Sequence, residues 1–124
     1  MKQTTIAAFG KYACQGDSLI ITLTGEIDHH AAAYLREELD LAIYKYKPKN
    51  VILDFTRVPF MDSSGLGLAV GRYQSAKATG ATLTVRVGKN RVCQRIFQMA
   101  GLERLEGLFF EATPEVKEKE RKVQ

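Results

Sequence analysis

Cysteine, histidine and proline are scarce and tryptophan is absent: two, two, three and none in 124 residues. Cys14 and Cys93 have no CxxC spacing and no third cysteine beside them. That excludes a disulfide framework and a cysteine metal site, and both are expected to be reduced, buried thiols. His29 and His30 are the only histidines, and as helix neighbours they would point about 100° apart, a poor pair of metal ligands. No apolar run approaches the roughly 18 residues of a membrane span. Lys11 interrupts Ile6 to Phe9 before that run could serve as a signal-peptide core, so a cytoplasmic chain without a membrane partner is expected. Neither sign of charge dominates, since 18 basic and 14 acidic residues leave +4. Residues 115–124 hold four of the basic and three of the acidic residues, so the remainder still carries +3. That excess does not point to direct nucleic-acid binding. The basic group Arg86, Lys89, Arg91 and Arg95 lacks interleaved aromatics and is expected to be a solvated face.

What is present fits one soluble domain of ordinary composition, 45% hydrophobic and 26% charged. Ile6 to Cys14 and Leu19 to Thr24 flank Gln15-Gly16-Asp17-Ser18, which predicts a hairpin. Leu19, Ile21 and Leu23 alternate with Ile20, Thr22 and Thr24, the two-residue period of a strand with one face in the core. After Asp28 the period becomes helical, with Leu35, Leu39, Ala42, Ile43 and Tyr46 on one side and Arg36, Glu37, Glu38, Asp40 and Lys45 mostly outside, until Pro48 stops it. Val51 to Phe55 form the next strand. A helix carrying Leu66, Ala69, Val70 and Tyr73 closes at Gly80, and a strand carries Leu83, Val85 and Val87. A third helix, marked by Val92, Ile96 and Met99, ends at Gly101-Leu102, and Leu105 to Phe110 supply a last strand. The alternation predicts an α/β fold over residues 1–112, with residues 113–124 a charged tail that is frayed or disordered.

The segment Phe60-Met61-Asp62-Ser63-Ser64-Gly65-Leu66-Gly67 lies where a strand hands over to a helix. The first helical turn leaves N–H groups unpaired and its dipole favours negative charge, so a serine there can cap the helix or carry phosphate. Asp62, Ser63 and Ser64 offer more polar side chains than one cap requires. Gly65, Gly67 and Gly71 each cost about 1 kcal/mol against alanine within a helix, which calls for a close approach to the sheet or to a partner. Their spacing does not match a dinucleotide fingerprint, and no Gly-x-Ser-x-Gly elbow surrounds Ser63. Asp28 is read as the cap of the first helix and, if its strand neighbours that of Ser63, as an acidic wall beside it.

Gly25-Glu26-Ile27-Asp28-His29-His30, Phe60 to Gly67, Gly71-Arg72-Tyr73 and Met99-Ala100-Gly101-Leu102 together resemble the anti-sigma factor antagonists of the STAS-domain family, over about residues 16 to 110. The paired histidines and Gly-Arg-Tyr are more similar to the sporulation branch, which acts on the anti-sigma-F factor, than to the general-stress branch. The resemblance implies a single STAS-type domain: a mixed central β-sheet with an N-terminal hairpin and packed α-helices. It also implies a regulator rather than an enzyme. Its partner would be an anti-sigma factor/serine kinase that itself holds ATP and magnesium, with no cofactor on this chain. Unphosphorylated antagonist would bind that kinase and free the sigma factor, promoting sporulation transcription. Phosphorylation of Ser63 would switch binding off and a serine phosphatase would restore it. Asp28, Asp62, Ser63, Ser64, Gly65, Leu66, Gly67 and Val70 are the implied partner-binding residues, with Ser64 assigned to capping or to supporting the contact. The alternatives are a STAS scaffold, a general-stress antagonist with another kinase, and an enzyme using Ser63 as nucleophile with His29 or His30 as base.

Overall fold

The computed structural model describes residues 2–112, so the expectation for residues 113–124 lies outside the described residues. In chain order the elements are β1 (Gln3–Thr5), β2 (Gly10–Gln15), β3 (Ser18–Thr24), α1 (His29–Tyr46), β4 (Asn50–Arg57), α2 (Ser63–Ala78), β5 (Thr82–Val87), α3 (Arg91–Ala100), a 3-10 turn at Leu102–Arg104, and β6 (Leu108–Ala112). The sheet runs in the same order, β1 to β6. Its first two pairings are antiparallel and its last three parallel. Each crossover therefore steps to the next strand in one direction, and right-handed crossovers of that kind place all three helices on one face.

Burial agrees with that topology. Leu19, Ile21, Leu23, Val51, Leu53, Leu83, Val85 and Val87 are wholly enclosed beneath the helices. Their alternates Ile20, Thr22, Ile52, Asp54 and Arg86 are only half-buried. Phe97 of α3 packs edge-on against Phe55 of β4, with ring centroids 5.1 Å apart, and burial of one such ring contributes about 1.5–3 kcal/mol. The β2–β3 turn is tied to the start of β4 because Lys49 N–H donates to the Asp17 carbonyl at 2.8 Å.

Several expectations are corrected. Ile6 to Cys14 is not one strand: Ala7 has φ of +48° and Gly10 φ of +147°, so the chain turns between β1 and β2 and drops Ile6 into the core. Only glycine serves at position 10, where a Cβ would collide with the Thr22 carbonyl of β3. Tyr46 lies in the last turn of α1, past the core, and rests edge-on against Tyr12. Asp40, expected outside, is half-buried between α1 and α2. In α3 the buried residues are Cys93 and Phe97, while Val92 and Met99 are 50% and 82% exposed. Two apolar stripes lie one position apart on this helix, and the one bearing the aromatic ring faces the sheet. The last strand begins later than expected, because the 3-10 turn and Gly107, with φ of +84°, intervene. Cys14 is exposed beside the hairpin turn, whereas Cys93 is buried with its thiol pKa pushed up by desolvation.

Candidate functional site

Because β3 and β4 are parallel neighbours, their two exits run side by side. An isolated parallel bridge joins Ile27 to Met61. Ile27 N–H donates to the Phe60 carbonyl at 3.1 Å, and Asp62 N–H donates to the Ile27 carbonyl at 3.3 Å. The next residue on each chain, Asp28 and Asp62, caps a helix. Asp28 Oδ1 accepts from Ala31 N–H at 2.9 Å, and Asp62 Oδ1 accepts from Ser64 N–H at 2.7 Å. Two helix N-termini thus meet at one end of the molecule, where their dipoles reinforce a positive potential.

Asp62, not Ser64, is the side-chain cap of α2. That corrects the assignment of Ser64 to capping: an aspartate one residue before the helix already holds the free N–H. Ser63 is the first helical residue and its side chain is exposed. No hydrogen bond among the described residues joins it to His29 or His30, both exposed at the start of α1. Ser64 is half-buried and lines a groove of about 340 Å³ between α1 and α2, together with His29, Arg36, Gly67, Gly71 and Arg72.

The three glycines separate into two kinds. At Gly65 an added Cβ would lie 2.5 Å from Met61 Sδ, so this glycine lets α2 settle on the bridge residue. Gly65 is buried there, which makes it a support for the surface and not a contact on it. At Gly67 and Gly71 a Cβ would meet nothing within 4 Å. Their absent side chains leave the groove wall open without serving the core. Leu66 and Val70 are half-buried, packed against the core margin with one side outward.

Arg72 is the residue that the helical stripe missed. It is 4% exposed, on the same inner face as Leu68, Ala69 and Tyr73. Its Nε lies 2.8 Å from Asp40 Oδ1, and Ser75 Oγ donates to that oxygen at 2.7 Å. Burial lowers the guanidinium pKa from its ordinary value, and Asp40 counters this. A cation falling among apolar positions of α2 was the available signal. The pair pins α1 to α2 below the groove. Among the basic residues, Arg86 is bound to Glu111 at 3.0 Å across β5 and β6, apart from Lys89, Arg91 and Arg95, which line a depression beside α3. Arg57 is exposed at the end of β4. Among the described residues there is no cluster of three metal-ligating side chains, and no helix is long and apolar enough to cross a membrane.

A one-sided mixed sheet with two capped helix starts bridged at its parallel end defines the class: the chain belongs to the STAS domain family, whose pattern matches residues 11–118. Within that class it is 37% identical over 84 residues to the anti-sigma F factor antagonist of Paenibacillus polymyxa, spanning 68% of this chain and 71% of that protein. It is 36% identical over 87 residues to the anti-sigma-B factor antagonist of Listeria monocytogenes, spanning 69% and 74%. Among solved structures, the anti-sigma factor antagonist SpoIIAA in its unphosphorylated form superposes with a TM-score of 0.61 at 27% identity, over 90% of this chain and 94% of that one.

Proposed function

We propose that this chain is an anti-sigma factor antagonist controlled by phosphorylation of Ser63. The observation that carries the reading is the free hydroxyl: Ser63 is exposed at the first position of α2 while Asp62 performs the capping. Unphosphorylated, the protein binds an anti-sigma factor/serine kinase through the surface around Asp28, Asp62, Ser63, Ser64, Leu66, Gly67 and Val70, and so frees the sigma factor. The chain is ligand and substrate, not catalyst; ATP and magnesium belong to the kinase. A serine phosphatase reverses the modification, and the exchange takes place in the cytoplasm.

The physics of the switch is local. A phosphate adds about −1.5 to −2 charge at neutral pH, which a free helix N-terminus tolerates. Within a docked interface the same group would lie near Asp62 and Asp28 with its water removed, where repulsion and desolvation both oppose binding. A penalty of about 3 kcal/mol weakens binding more than a hundredfold. No refolding is required.

Paired His29-His30 with Gly71-Arg72-Tyr73 supports the sporulation branch, in which the protein is a positive regulator of sporulation transcription. The general-stress branch is the second reading, favoured by the 36% identity to the anti-sigma-B antagonist of Listeria monocytogenes. Intact-mass spectrometry after incubation with the candidate kinase and ATP tests the proposal, with native mass spectrometry before ATP is added. One added phosphate that is lost in Ser63→Ala, and a complex that forms only before phosphorylation, are expected. Phosphate on Ser64, or a complex indifferent to phosphorylation, overturns it.

A further inference from the structure

The face of the sheet opposite the helices has no element over it among the described residues. Cross-strand register places Ala13, Ile20, Ile52, Thr84 and Phe109 in one row across β2 to β6. Ala13 and Thr84 are buried at 6% and 7% exposure, Ile20 and Ile52 are half-buried, and Phe109 is 57% exposed. The adjoining row toward the parallel-strand exits reads Lys11, Thr22, Asp54, Arg86 and Glu111. The band is thus apolar with a charged margin, positive at the β2 end and negative at the β6 end.

We infer that this open face binds a second copy of the chain, sheet against sheet, about a two-fold axis that runs along β4. That operation keeps strand direction and reverses strand order, so β2 lies over β6 of the partner and β3 over its β5. The bulky Phe109 then meets small Ala13, Ile20 meets Thr84, and Ile52 meets its own copy. Lys11 meets Glu111, twice by symmetry. Asp54, which faces itself, and Glu111 already lie 3.9 and 3.0 Å from Arg86 of their own chain, so Lys11 of the partner would add a second cation to Glu111. Large against small and positive against negative is the complementarity that an isologous contact needs, and stacked sheets pack about 10 Å apart within about 30° of alignment.

Five strands about 4.8 Å apart and two rows about 6.8 Å apart outline roughly 300 Å² per copy. That is below the roughly 800 Å² per partner of a standard interface, so the dimer is weak and concentration-dependent. Strand direction being kept, both Ser63 residues lie at the same end of the pair and both helical layers stay outside.

Sedimentation velocity of the full chain from micromolar to millimolar tests this. The wild-type chain is expected to shift from monomer to dimer with rising concentration. Lys11→Glu and Glu111→Lys, at positions that are half-buried and exposed, each create two like-charge contacts and weaken self-association about tenfold. Mixed one to one, they restore both opposite-charge contacts, and a heterodimer returns. A wild-type chain that stays monomeric, a dimer unaffected by either substitution, or a mixture no stronger than its components overturns the inference. Because the face lies away from the helices, kinase binding by the two variants is unchanged, and loss of the dimer leaves the antagonist reading intact.

Discussion

The starts of α1 and α2 lie side by side, with caps of nearly the same geometry: Asp28 at φ −100°, ψ −172° and Asp62 at φ −97°, ψ −167°. Their next residues differ. α1 opens with two histidines and has Ala31, almost wholly buried, at its third position; α2 opens with two serines and has Gly65 there, pressed on Met61. One capping solution, used twice, leaves the first side chain of each helix free, and only at α2 is that side chain a hydroxyl. Gly65 also fixes α2 at a depth that no side chain would permit. The difference is therefore one of assignment, in which aspartate holds the helix and the first serine is left exposed.

Placing a negative charge at the first position of each helix gives the largest contrast. Ser63→Asp is expected to weaken kinase binding more than a hundredfold, about 3 kcal/mol, by isothermal titration calorimetry, while leaving the fold intact. His29→Asp is expected to raise thermal stability by a few tenths of a kcal/mol through the same dipole. Equal losses of binding from both would show that the two starts share one electrostatic role.

Next is the pin beneath the groove. Asp40→Ala strands a buried guanidinium and is expected to cost about 2–3 kcal/mol in urea unfolding, more than Arg72→Met, which removes the charge as well. The reverse order would mean that the ion pair matters less than the packing of the arginine stem.

The glycines come third. Gly65→Ala is expected to lose about 1–3 kcal/mol because Met61 must move, whereas Gly67→Ala is expected to gain up to about 1 kcal/mol in stability while weakening kinase binding. If Gly67→Ala leaves binding untouched, the open groove wall is not part of the docking surface. Among the destabilising substitutions the caps come last: Asp28→Ala and Asp62→Ala should each cost about 1 kcal/mol, and by similar amounts.

Features set by near neighbours are legible in the sequence. Leu19, Ile21 and Leu23 alternate, Asp28 precedes an amphipathic run, and Gly80 and Gly101 follow helices, each with positive φ as a closing glycine requires. What failed depended on distant partners. Whether α3 turns Val92 or Cys93 inward is settled by Phe97 meeting Phe55, a contact across 42 positions of chain. Asp40 reads as a solvated helix residue until Arg72 and Ser75 arrive from α2. At the site, Asp62, Ser63 and Ser64 were visible as a group, but the division of labour among them needed the 2.7 Å bond from Ser64 N–H.

The exits of β3 and β4 differ in chain length, and the structure absorbs the difference step by step. Partners are 32 positions apart at Thr22 and Asp54, 33 at Thr24 and Arg57, and 34 at Ile27 and Met61. Each added position is an extra residue on the β4 side, the first of them at the register shift between Thr22 and Thr24. The two caps, Asp28 and Asp62, inherit the final offset of 34, and that is why they stand level. The stretch from Thr56 to Phe60 therefore acts as a spacer that encodes length more than composition. A substitution there changes a surface, but a single-residue insertion or deletion would slide Ser63 one place along against Asp28 and break the alignment of the two helix starts.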